Sequence, residues 1–232
     1  MCGFIQRVTD SPAVIALLEE VGLQQTIPFF ENEKTDGNVI NFYPAFGKIA
    51  SKRITNLIVS PSTTIDATWW FDAKPKGQEL ELGERTTFNA RNIDSPFWKK
   101  AITHRRGVVV ATAIGESNPS STGKGKSHYL IEPKTGAFLL GAVYRIFSNG
   151  MYSCAVITRP PVEGFSQFHE KSIPCFLPHN KSVIEAWLHG DANYEVEQLL
   201  ATPKIYTDLK VTSVKTFKGA EPLGVSFSLS AS

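Results

Sequence analysis

Apolar positions along this chain come in short blocks whose period changes often. From Ser11 to Gly22 the block AVIALLEEVG, led by Ser11-Pro12, predicts a helix with serine at the N-cap, proline in the first turn and glycine near the end. Asp94-Ser95-Pro96 predicts a second helix over FWKKAITH, closing at Arg105-Arg106-Gly107. SVIEAWLHG and NYEVEQLLA read as one interrupted helical stretch. Elsewhere the period is two, or is lost in continuous apolar runs. ITNLIVSPSTTIDATWWF alternates and ends in three aromatics; VVVATAIGE is one run of buried-strand type; MYSCAVITRP and KIYTDLKVTSVKTF read as later strands. YLIEPKTGAFLLGAVYRIF predicts a hairpin around Lys134-Thr135-Gly136. GNVINFYPAFGKIAS, with Pro44 and Gly47, predicts a turn between short strands; DAKPKGQELELGER predicts a charged loop, and Ser117 to Ser127 a flexible Ser/Gly/Lys loop. Strands mixed with a few short helices, without a βαβ rhythm, mean an α+β fold. With no low-complexity linker, the 232 residues are expected to form one domain, 1–232.

Composition narrows the classes. Apolar residues are 42% and charged residues 20% of the chain, which excludes disorder, collagen and heptad repeats. The 24 Lys+Arg nearly cancel the 22 Asp+Glu, so any nucleic-acid contact must come from a local patch. MCGFIQRVTD lacks a basic segment followed by an apolar one, and no run of 18 apolar residues exists, so neither a signal peptide nor a membrane span is expected. The expected location is the cytoplasm. Cys2, Cys154 and Cys175 have no CxxC spacing, which argues against a disulfide framework or a cysteine zinc site. The five histidines show no ligand spacing either, so neither metal nor cofactor is expected. GESNPSSTGKGKS looks like a phosphate-binding loop, but seven residues separate Gly115 from Gly123 where that motif needs four.

The most informative tripeptide is Met-Cys-Gly at the start. A starting methionine is generally removed when the second residue is small, which would leave Cys2 with a free amine and a thiol two carbons apart. An α-amine with a pKa of about 7.7–8.0 is partly neutral at pH 7, unlike a lysine. Such a residue is a nucleophile through sulfur, through nitrogen, or through both on one carbon. With an aldehyde it forms an imine and then closes to a five-membered thiazolidine. Gly3 lets a bulky partner approach the backbone. An early cysteine can equally be incidental, so the rest of the chain has to support a function.

Downstream come Asn41-Phe-Tyr-Pro44, Trp69-Trp70-Phe71, Asn89-Ala90-Arg91, Arg106 with Glu116 ten residues on, and His169 ahead of Pro174. Together with Cys2-Gly3, this order resembles the SOS-response-associated peptidase family over residues 1 to about 178. Departures are visible. The stretch around the acid is Ala-Ile-Gly-Glu-Ser (Ala113 to Ser117) instead of an aromatic-rich one, and Phe4 replaces a customary arginine. The His-to-Pro spacing is one residue longer, and the acid usual after Asn-Ala-Arg is missing, with Asp94 standing nearest.

The resemblance implies mixed and antiparallel sheets forming a barrel-like core flanked by short helices. It implies a monomer that attaches covalently to abasic sites, mainly in single-stranded DNA, and is nucleoid-associated when bound. Cys2 would attack; Glu116 would shuttle protons; His169 would protonate the sugar oxygen; Asn89 would hold the amine or a substrate oxygen. Arg91, Arg106 and Lys171 would contact DNA, while Lys99, Lys100 and Arg105 join Arg106 in a basic cluster that also suits a solvated helix face. Trp69 and Trp70 would stack on bases. Adjacent strand residues point to opposite faces, so at least one of Trp69, Trp70 and Phe71 is expected in the core. Two other chemistries remain open for Cys2: a thiol peptidase acting on its own Met1 or on other peptides, and an N-terminal-nucleophile amidotransferase.

Overall fold

The structure, a computed structural model, describes residues 3–33, 38–44, 52–119, 125–190 and 193–232. Among them are fifteen strands and five α-helices. In chain order these are β1 (Phe4–Val8), α1 (Pro12–Glu20), α2 (Ile27–Glu31), β2 (Val39–Phe42), β3 (Arg53–Ser60), β4 (Thr63–Thr68), β5 (Ala73–Lys76), β6 (Glu79–Leu82) and β7 (Asn89–Ala90). There follow α3 (Pro96–His104), β8 (Arg106–Ala111), β9 (Ala113–Pro119), β10 (Lys126–Pro133), β11 (Phe138–Ile146) and β12 (Tyr152–Arg159). The last are β13 (Ile173–Pro174), α4 (Lys181–His189), α5 (Tyr194–Ala201), β14 (Leu209–Val214) and β15 (Phe227–Leu229).

Strands β11, β8, β3, β4 and β12 lie side by side, and β12 pairs back onto β11, closing a five-stranded barrel. Closure removes the open edges that such apolar strands would otherwise present. A six-stranded sheet, in the order β15-β14-β10-β9-β1-β2, stands beside it. The α+β class and the barrel-like core are therefore as expected. Helices cover the barrel with one face each: Leu17 and Leu18 of α1, Trp98 of α3, and Ile184 and Trp187 of α4 are buried. Each such side chain contributes roughly 1.5–3 kcal/mol by leaving water. Ser11 does sit at the N-cap of α1, but its carbonyl, not its hydroxyl, serves the first turn by accepting from Val14 and Ile15.

Several expectations are corrected. VVVATAIGE is two strands: β8 belongs to the barrel and β9 to the second sheet, and the chain crosses between them at Thr112. There the Thr112 amide donates to the Gln6 carbonyl at 2.8 Å, and its hydroxyl accepts from the Val8 amide at 3.0 Å. Lys134-Thr135-Gly136 is likewise a crossing, since β10 and β11 pair with other strands and not with each other. Gly136 takes φ +81°, the left-handed turn conformation that glycine tolerates. The charged segment is a hairpin, β5–β6, with Lys76 3.0 Å from Glu81 across it. The expected flexible loop is strand as far as Pro119 and again from Lys126, while residues 120–124 lie outside the described residues. So does most of the turn expected after Pro44 (residues 45–51), and β15 was not anticipated.

Candidate active site

Glu116 sits within β9, not at a loop edge. It lies opposite Tyr129 of β10, and its side chain is wholly buried. Burial penalises the carboxylate and pushes its pKa up to about 7; the Arg91 guanidinium is among the charges that oppose this. One position earlier, Gly115 pairs with Phe4, so the antiparallel strand β1 begins directly beside the acid. A side chain at 115 would collide with the Phe4 and Phe217 rings, which stack on each other 5.1 Å apart. The arginine-to-phenylalanine departure at position 4 thus has a structural counterpart: Phe4 is buried between Tyr43 and Phe217, over a glycine.

His169 is brought to Glu116 by the next residues of β9. Its Nδ1 donates to the Ser117 carbonyl at 2.8 Å, and the Glu170 amide donates to Asn118 Oδ1 at 3.1 Å. Asn118 Nδ2 in turn donates to the Gln167 carbonyl at 2.9 Å. The ring nitrogen is 3.8 Å from Glu116 Oε2. That distance suits an ion pair, but burial lowers the imidazole's pKa while raising the carboxyl's. Near neutrality the histidine is therefore mainly uncharged, and the contact is not a salt bridge. Ser117 and Asn118 were not anticipated as positioning residues. The signal was present, since two polar residues directly after an acid at the end of an apolar run have little reason to be there unless they bond to something.

Arg91 follows β7, which runs parallel to β12 with Asn89 opposite Val156. Its guanidinium bonds to the buried Ser172 hydroxyl at 3.1 Å, and its charge acts on both Glu116 and His169. Asn89 is half-buried two positions before it. Thr158, farther along β12, holds a buried hydroxyl without a hydrogen-bond partner among the described residues. The fold thus gathers Glu116, His169 and Arg91 around the start of β1, and Asn89 accompanies Arg91. Cys2 itself lies outside the described residues.

Two proposed DNA contacts are corrected. Trp69 is fully buried, and its indole donates to the Phe88 carbonyl at 2.8 Å, so it is a core residue and has no face for a base. Arg106 is 3% exposed. Its guanidinium donates to the carbonyls of Ile102 and Thr103 at the end of α3 and of Ala186 and Trp187 at the end of α4, which cannot leave it for a phosphate. Phe71 is also buried, 4.7 Å from Trp98. Of the three adjacent aromatics only Trp70 keeps partial exposure, with the Lys52 ammonium 5.2 Å from its ring. Lys171 is exposed. Cys154 and Cys175 are buried, which raises both thiol pKa values, that of Cys175 to about 12, and makes them poor nucleophiles. Among the described residues no cluster of His, Cys, Asp or Glu could hold a metal, and no helix is long and apolar enough to cross a membrane.

The pattern of the SOS response associated peptidase (SRAP) family matches residues 1–217, and the chain belongs to this family. The family's description ties it to the response to DNA damage and to peptidases. Solved structures share the fold. A protein from Bacteroides thetaiotaomicron has a TM-score of 0.64 at 15% identity, covering 93% of both chains. A phage-related protein from Bordetella bronchiseptica has 0.61 at 17%, covering 97% of this chain and 99% of that one. A further Bordetella bronchiseptica protein has 0.63 at 16%, covering 93% and 100%. Such identities speak for the fold alone. No curated protein matches the chain.

Proposed function

We propose that this protein processes abasic sites in single-stranded DNA by attaching to them through Cys2 once Met1 is gone. The observation that carries the proposal is the wholly buried Glu116, held near pKa 7 beside the strand that delivers the N-terminus. The ring-opened sugar presents an aldehyde. The Cys2 amine adds to it and water leaves, giving an imine; the thiol then adds across the C=N bond, its sulfur to carbon and its proton to nitrogen, closing a thiazolidine. Addition and loss of water each need a proton supplied and another taken up. A carboxyl that is partly protonated near neutrality serves both directions. With His169 Nδ1 committed to the Ser117 carbonyl, proton exchange with the sugar oxygen falls to Nε2. Asn89 would hold the amine or a substrate oxygen, Arg91 and Lys171 would meet phosphates flanking the lesion, and Trp70 would stack on a neighbouring base. The protein would act as a cytoplasmic monomer, nucleoid-bound when engaged.

Incubation with an abasic oligonucleotide followed by mass spectrometry tests this. The wild type is expected to form a covalent adduct, and Cys2→Ala or protein retaining Met1 none. Glu116→Gln should slow adduct formation on the order of 10²-fold. An adduct formed equally well by Cys2→Ala would overturn the proposal. The family's description favours a second reading, peptide hydrolysis by the same thiol. Cys2-dependent cleavage of a peptide library, without any abasic adduct, would replace the first reading with the second.

A further inference from the structure

Strand β12 runs from the barrel end at Ser153, whose hydroxyl donates to the Phe71 carbonyl, to the Arg91 end, where Ile157 pairs with Ala90. Four to five residues of strand separate the two ends by about 15 Å. At the Phe71 end is a hollow of 420 Å³ whose lining includes Phe71, Phe97, Lys100, Arg105, Tyr144 and Arg145. That volume lies in the range of small-ligand sites. Among the described residues three cations meet there and no carboxylate lines the space. Among the described residues none of the three has an acidic partner.

The cations are held differently, and the difference suits a ligand. The Arg145 guanidinium lies over two rings, 5.5 Å from that of Phe71 and 5.1 Å from that of Phe147, and both contacts restrain it. Lys100 is exposed on α3 and can swing. Tyr144 is half-buried and its pKa is raised by that burial, so its hydroxyl remains a hydrogen-bond donor at neutral pH. Phe97 is only partly buried, and the Arg85 guanidinium lies 5.7 Å from its ring. An anion alone would use the cations and leave the aromatic wall idle. An apolar ligand would leave the cations unpaired.

We propose that this hollow binds a nucleotide unit, its phosphate among Lys100, Arg105, Arg145 and the Tyr144 hydroxyl and its base against Phe97. The unit can come from a free nucleoside monophosphate or from a strand passing over the barrel. In the second case it gives DNA a foothold well away from Glu116. The test is calorimetric titration of the full chain with deoxyadenosine monophosphate, deoxyadenosine and inorganic phosphate. The monophosphate is expected to bind about tenfold or more tighter than either fragment, and Lys100→Gln and Arg145→Gln each to weaken it about tenfold. Phe97→Ala should erase the advantage over phosphate. Lys100 is exposed, so its variant carries the test even if Arg145→Gln disturbs packing. Competition by an undamaged oligothymidylate assigns the site to a strand; a site that admits the monophosphate but not the oligonucleotide is one for free nucleotides. Equal binding of nucleotide and nucleoside, or indifference to Lys100→Gln, overturns the proposal. Titration needs no abasic lesion, so loss of adduct formation would strike the proposed function and leave this site standing.

Discussion

The side chains of Glu33 and Glu116 are both largely withdrawn from solvent, and they are treated in opposite ways. Glu33, with its side chain 8% exposed, takes Arg7 in a two-pronged pair, Nε to Oε2 at 2.8 Å and Nη2 to Oε1 at 2.5 Å. The Thr55 hydroxyl and Asn56 Nδ2 also donate to it, and Arg7 has further bonds to the carbonyls of Val110 and Thr55. The Phe30 and Phe42 rings flank the guanidinium, each 5.0 Å away. Such a two-pronged, multiply bonded arrangement holds one geometry. Glu116 is buried more deeply, yet its neighbour is an imidazole whose pKa is also shifted toward the neutral form. A carboxylate tied down like Glu33 ties β1 to the barrel; one left near its titration point can move protons. The contrast separates a structural acid from a chemical one without reference to any relative.

The largest effect should come from breaking the structural pair. Glu33→Ala strands Arg7, 1% exposed, without its counter-charge and should cost about 3–5 kcal/mol in denaturant unfolding. Next comes the pH dependence. In the folded state Glu116 keeps its proton up to about 7 from an ordinary 4.5, so between those values the unfolded chain ionises first and the wild type loses stability as pH rises. Relative to Glu116→Gln that loss should approach roughly 3 kcal/mol above pH 7 and vanish below pH 4. Urea unfolding of both proteins across this range measures it, and parallel curves would remove the perturbed acid. The smallest effect is expected from Gly115→Ala, whose methyl meets the Phe4 and Phe217 rings at 2.7–2.8 Å and should cost about 1–3 kcal/mol. It should displace the start of β1 and slow adduct formation, while the pH difference assigned to Glu116 persists.

Much of this was legible in the sequence, for physical reasons. Pro12 and Pro96 mark helix starts because proline fits the first turn, and both helices begin there. Glu116 and His169 stood in family order, and the fold brings them together. What escaped was whatever depends on partners distant in the chain. An apolar run looks the same whether it is one strand or two, so the crossing at Thr112 was invisible, and a glycine turn between strands looks the same at Gly136 whether it closes a hairpin or passes between sheets. Trp69 and Trp70 are chemically alike in sequence; only the Phe88 carbonyl and the surrounding core decide which is hidden. Arg7 drew no notice and Arg106 drew the wrong kind, because a buried arginine is defined by acceptors 26 and 80 residues away.

The bonds of Arg106 reach further than that one misassignment. Through a single planar group, the last turns of two helices some eighty residues apart share their otherwise unanswered carbonyls. Neither helix end can fray without exposing the other, so α3 and α4 should exchange their amide hydrogens as one cooperative unit. The ends of α3 and α4 open together or stay shut.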